Sequence, residues 1–233
     1  MSLELSRVRG LCFDVDGTLS DTDDQYVQKV AGWLRPFSFL LPGRNYLSFA
    51  RRLVMVTETP ATIFFGLPDR LGIDDEISRF GDYMYRRMVN KKVISFTLIP
   101  GIREMLEQLF PSYPMSIVTA RGLRTTEIFL QKFNLNPMFK AVASAQTCRH
   151  TKPYPDPILW SAAQMGIPAE DCLMIGDTTV DIQAGKAAGA QTVGVLCGFG
   201  TEKELRLAGA DLILEKTTQL VQVFENSNLK GIV

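Results

Sequence analysis

The chain has 233 residues, 46% of them hydrophobic and 21% charged, which is ordinary globular composition and excludes a disordered or low-complexity chain. Lys plus Arg and Asp plus Glu both number 25, so no global field favours nucleic acid or an anionic membrane surface, and any anion site must be local. The longest apolar-rich stretches, near Phe37–Leu41 and Ile63–Leu67, fall far short of the ~20 residues that span a bilayer.

Met1–Gly10 lacks the long apolar core of a secretory signal, and Cys12, Cys148, Cys172 and Cys197 lie too far apart for a metal or redox motif. Both observations favour a cytoplasmic protein with reduced thiols. Val8–Val15 then reads as a buried parallel strand ended by Gly17. Further short apolar runs follow at Met115–Val118, Ala141–Ala143, Leu173–Ile175, Thr192–Leu196 and Leu212–Leu214. Helical stripes lie between them: Ile102, Met105, Leu106 and Leu109; then Ile128, Phe129, Leu130 and Phe133; then Ile158, Leu159, Ala162 and Ala163 after Pro157. Alternating strand and helix predicts an α/β fold, a doubly wound parallel sheet of Rossmann-like type.

One interval breaks that rhythm. About a hundred residues separate the first two strands, where a βαβ unit needs only ~30 in all. The spacing of Tyr26, Val27, Val30 and Trp33, and of Phe80, Tyr83, Met84 and Met88, predicts an inserted helical domain. The expected division is a core of residues 1–20 and 96–233 and an insert of residues 21–95, with Pro100-Gly101 marking the return to the sheet.

Ligands of such sheets bind beyond the carboxyl ends of the strands, where this sequence places Asp14, Asp16, Thr119 and Asp177. Asp14 and Asp16 are two apart, so strand alternation sends both carboxylates to one side, and such a pair needs a cation or a shared proton. Magnesium suits an oxygen-rich site of this kind, with Asp177 as a further carboxylate and Asp181, four residues on, in a supporting place. The Thr119 hydroxyl and Ala120 amide are suited to phosphate oxygens near a helix start, and Lys152, in a loop stiffened by Pro153, Pro155 and Pro157, to a fixed positive charge. His150 reads as a loop histidine without catalytic duty, and Asp21, Asp23 and Asp24 as a helix start.

In this order, Asp14-Val15-Asp16-Gly17-Thr18, Thr119, Lys152-Pro153 and Gly176-Asp177 with Asp181 resemble the four motifs of the haloacid dehalogenase superfamily, in its phosphatase branch with a helical cap. The resemblance spans nearly the whole chain. It implies that Asp14 is a nucleophile forming an aspartyl-phosphate, that Asp16 is general acid and then base, and that Asp14, the Asp16 carbonyl and Asp177 bind Mg2+. It also implies that Thr119 and Lys152 position and neutralise the phosphoryl group. One departure is plain: the family often has asparagine after the threonine, and this chain has Ala120 followed by Arg121. The expected substrate is a small phosphorylated metabolite, phosphoglycolate-like acids among them, selected by insert arginines such as Arg51-Arg52 and Arg86-Arg87. No nucleic acid or membrane partner is expected, and the sequence is compatible with a homodimer. A phosphomutase using the same intermediate is the alternative, and an inactive binding or signalling protein the alternative from another class.

Overall fold

The computed structural model describes residues 3–21 and 96–230, the last four as backbone alone. By its contacts the chain divides into two units, Met1–Gln25 with Thr97–Val233 and Tyr26–Phe96, and the description concerns the first. The expected helical insert, and with it Arg51, Arg52, Arg86 and Arg87, lies outside the described residues apart from Asp21.

Six strands form one parallel sheet: β1 (Gly10–Phe13), β2 (Met115–Val118), β3 (Phe139–Ala143), β4 (Cys172–Gly176), β5 (Gln191–Val195) and β6 (Leu212–Leu214). Their order is β3-β2-β1-β4-β5-β6, every neighbouring pair parallel. The four inner strands are buried along their whole length, which is why they read as continuous apolar runs rather than as alternation. The edge strands β3 and β6 are only partly buried.

Among the described residues six α-helices accompany the sheet: α1 (Ile102–Leu109), α2 (Leu123–Lys132), α3 (Asp156–Met165), α4 (Thr179–Ala187), α5 (Glu202–Ala208) and α6 (Leu220–Lys230). The stripe expected on α1 is buried in full. On α2 the buried set is Thr126, Phe129 and Leu130, and Ile128 is exposed; on α3 it includes Ile158, Ser161, Ala162 and Met165, and Leu159 is exposed. Adjacent apolar residues lie about 100° apart around a helix, so only one of two neighbours can face the sheet centre.

One apolar layer joins α3 to the sheet through Cys12, Val118, Ala143, Ile158, Ala162, Cys172 and Met174. On α4, a side chain at Gly185 would meet Thr192 Cγ2 at 2.5 Å and Met174 Cβ at 3.1 Å, so glycine lets that helix lie close on β4 and β5. The strand order reverses at β1, with β2 and β3 on one side and β4 to β6 on the other. That reversal opens the crevice at the carboxyl ends of β1, β2 and β4.

Candidate active site

The register of the sheet gathers the polar strand ends. Phe13 pairs with Ile117 on one side and Ile175 on the other, so Asp14, Thr119 and Asp177 leave adjacent strands at one edge. The Asp14 amide still donates to the Ile175 carbonyl at 2.9 Å, which fixes the backbone where its side chain departs. Beyond it the chain turns tightly: Gly17 has φ 71°, and the Leu19 and Ser20 amides both donate to the Val15 carbonyl. Two distant residues hold that turn, Thr217 Oγ1 donating to the Thr18 carbonyl at 2.7 Å and Cys197 Sγ to the Gly17 carbonyl at 3.2 Å.

Lys152 is buried and its Nζ lies between two carboxylates, 2.7 Å from Asp14 Oδ1 and 2.5 Å from Asp181 Oδ1. The other oxygen of Asp181 caps α4, accepting from the Thr178 amide at 3.0 Å and the Thr178 hydroxyl at 2.6 Å. Both oxygens of Asp181 are therefore engaged, one fixing the lysine and one fixing the helix start.

Asp177 is wholly buried. Its Oδ2 accepts from the Phe199 amide at 2.7 Å, and its backbone carbonyl accepts from the Gly200 amide at 3.0 Å. Its Oδ1 is buried with no hydrogen-bond partner among the described residues. Ligand oxygens of Asp14, Asp177 and Asp181 lie within 4.8 Å of one another, all from buried residues.

Burial pushes the Asp14 carboxyl up to about 7, the Lys152 charge opposing and the Asp181 and Asp16 charges adding to the rise. The Asp177 carboxyl is likewise pushed well up, by burial first and then by Asp181 and Asp14. Burial alone lowers the Lys152 pKa, but the facing charges of Asp14 and Asp181 reverse the shift and keep the amine protonated. One lysine thus faces a surplus of buried negative charge. An orphaned carboxylate oxygen in an all-oxygen cluster fits a hard divalent cation, which relieves that surplus.

Asp16 does not join this cluster through its side chain. The Arg121 guanidinium takes it bidentately, Nε to Oδ2 and a terminal nitrogen to Oδ1. Thr119 is buried, and its Oγ1 accepts from the Arg121 amide at 3.2 Å; Ala120 is exposed. His150 is exposed, its Nδ1 3.0 Å from Asp156 Oδ1 and its ring tilted against Tyr154.

Residues 11–195 match the haloacid dehalogenase-like hydrolase family. The chain belongs to that family. The pyrophosphatase PpaX of Bacillus velezensis is 28% identical to it over 93% of this chain and 96% of the relative. A phosphoglycolate phosphatase of Shigella boydii is 27% identical over 92% and 91%. Among solved structures, a haloacid dehalogenase-like hydrolase from Streptococcus pneumoniae covers 94% of this chain and 99% of its own, at a TM-score of 0.69 and 21% identity. The expected α/β fold and the expected family of hydrolytic enzymes are both met, and the phosphatase names of the relatives support a phosphoric monoester hydrolase. No described helix is long and apolar enough to cross a membrane.

Proposed function

We propose that this chain is a magnesium-dependent phosphatase of small phosphorylated metabolites, working through an aspartyl-phosphate on Asp14. The observation that carries the reading is the buried Asp14 carboxylate, with Lys152 on one oxygen and the unpartnered Asp177 Oδ1 in the same cluster. Asp14, the Asp16 carbonyl and Asp177 would hold magnesium, which when bound supplies positive charge for the transferring phosphoryl group.

The residues divide the work as follows. An Asp14 oxygen attacks phosphorus, the bond to the leaving oxygen breaks, and that oxygen takes a proton from Asp16. Water then attacks the phosphorus and gives its proton to Asp16, which releases phosphate and restores Asp14. Lys152, held by Asp181, balances charge on the phosphoryl oxygens, and Thr119 with the Ala120 amide steadies them. The insert expected at residues 21–95 would choose the leaving group, and the enzyme works in the cytoplasm. The names of the two relatives support phosphoglycolate and pyrophosphate as the first substrates to try.

The test is hydrolysis of para-nitrophenyl phosphate. Wild-type protein should turn it over with magnesium and lose activity in excess chelator, and Asp14→Asn should abolish turnover by a factor of about 1,000 or more. Full activity of Asp14→Asn would reject covalent catalysis at this residue, and full activity in chelator would reject the metal.

A further inference from the structure

We infer that Thr217 and Cys197 are positioning residues for the proposed magnesium site: through the Thr18 and Gly17 carbonyls they hold the turn that carries the Asp16 carbonyl at a fixed spacing from Asp177. The inference rests on the phosphatase reading above and adds to it two residues that touch neither cation nor substrate.

Both residues leave a paired edge of the sheet. Val195 on β5 pairs with Leu214 on β6, and the Leu196 amide still donates to the Leu214 carbonyl at 2.9 Å. Cys197 and Thr217 follow two and three residues past that pair. Thr217 opens a short 3-10 turn, Thr217–Gln219, whose entry is fixed by the Lys216 amide donating to Gln219 Oε1 at 3.1 Å. Its side chain is fully buried, as is Thr18.

The turn after β1 satisfies only part of itself. Its backbone amides use the Val15 and Ser20 carbonyls as acceptors, whereas the Thr18 and Gly17 carbonyls are met by side chains 199 and 180 residues away. Thr217 Oγ1 gives its one proton to the Thr18 carbonyl at 2.7 Å. In the 3.3 Å contact between Cys197 Sγ and Thr217 Oγ1 the thiol is therefore the donor, and it shares its proton with the Gly17 carbonyl at 3.2 Å. Three contacts thus lock two consecutive carbonyls immediately after Asp16.

The same segment also grips Asp177. Two residues past Cys197, the Phe199 amide donates to Asp177 Oδ2 at 2.7 Å, and the Gly200 amide donates to the Asp177 carbonyl at 3.0 Å. Residues 197–200 therefore bridge the ends of β1 and β4, fastening the turn beyond Asp14 at one end and a buried carboxylate at the other. A cation held by both elements needs their spacing set in advance, because a ligand that must first be ordered binds more weakly by that cost. Removing the Thr217 hydroxyl takes the bond from a buried carbonyl and loosens one side of the bridge.

Two readouts on the whole protein test the inference: calorimetric titration with magnesium, and amide hydrogen exchange of residues 14–20 in magnesium-free buffer. Thr217→Val, close in size but without the hydroxyl, should speed exchange in that turn by about five-fold or more and weaken magnesium binding by about 10–100-fold. Thr217→Ser, which keeps the hydroxyl, should recover most of both. Cys197→Ala should act in the same direction but less, since a thiol is a weak donor, and Cys197→Ser should recover it; this pair decides the matter if Thr217→Val does not fold. Wild-type magnesium affinity in Thr217→Val, weaker binding without faster exchange in the turn, or an equal loss in Thr217→Ser would overturn the inference, as would a wild type that binds no magnesium. A wild type that hydrolyses no phosphate ester but binds magnesium with this dependence on Thr217 would remove the phosphatase reading and leave the positioning role standing.

Discussion

Lys152 is the only cation whose contacts reach into the buried carboxylate cluster among the described residues, and two of its three donors are spoken for by Asp14 and Asp181. Removing it leaves like charges buried without compensation, and breaking such a pair costs about 3–5 kcal/mol. Lys152→Met should therefore lower the melting temperature in magnesium-free buffer, measured by circular dichroism, and saturating magnesium should restore part of the loss. An unchanged melting temperature without magnesium would show that Asp14 and Asp181 are already compensated otherwise. As candidates, Asp14, Thr119 and Asp177 were legible in the sequence as polar residues that end apolar runs, and Asp16, Lys152 and Asp181 through their spacing, the proline-stiffened loop and the order of the motifs. The partner of Asp16 was not. Arg121 meets it only through the pairing of Phe13 with Ile117, a register that one sequence does not specify. The lysine's second partner was hidden for a similar reason: the spacing gives Asp181 a supporting place beside the metal site, and only the fold brings it within 2.5 Å of Lys152 Nζ.

The segment after β5 positions Asp177 through its backbone. A side chain at Gly198 would meet Asp177 Oδ2 at 2.1 Å, and one at Gly200 would meet the Asp177 carbonyl at 2.1 Å. Phe199, between them, gives its amide to Oδ2 and so holds the carboxylate while Oδ1 stays without a hydrogen-bond partner among the described residues. Gly198→Ala should displace the carboxylate and weaken magnesium binding by about 10–100-fold in a calorimetric titration, the range for residues that orient a ligand. Wild-type magnesium affinity in that variant would mean that the loop does not orient Asp177. The glycines are visible in Leu196-Cys197-Gly198-Phe199-Gly200, but nothing local in the sequence says whose carboxylate they approach. The helices show the same division. Periodicity locates α1, α2 and α3, yet Ile128 and Leu159 face outward, because an apolar stripe fixes the helix better than it fixes the angle at which the helix meets the sheet.

At the scale of the molecule, the fold class was legible because four inner strands buried end to end leave apolar runs at helix-separated intervals. Strand order was not, since short apolar runs carry no record of their neighbours. What ties the β5–β6 side together is a polar clasp. Asp211, just before β6, accepts from Lys186 Nζ near the end of α4 and from the amide and hydroxyl of Thr192 on β5, at 2.9 and 3.1 Å. Burial alone raises the Asp211 pKa, but the bonds from Lys186 and Thr192 outweigh it and hold the carboxyl below its ordinary value. A carboxyl whose folded pKa is depressed binds protons more readily in the unfolded chain, so it stabilises the fold above the unfolded pKa of about 4 and loses that contribution as pH falls through the folded value. Asp211→Asn should accordingly cost about 2 kcal/mol at pH 7, the scale of hydrogen bonds to a charged group. Urea unfolding at a series of pH values should show the gap between variant and wild type narrowing below about pH 4. A gap that stays constant down to the acid limit would assign the loss to packing around Asp211 rather than to its charge.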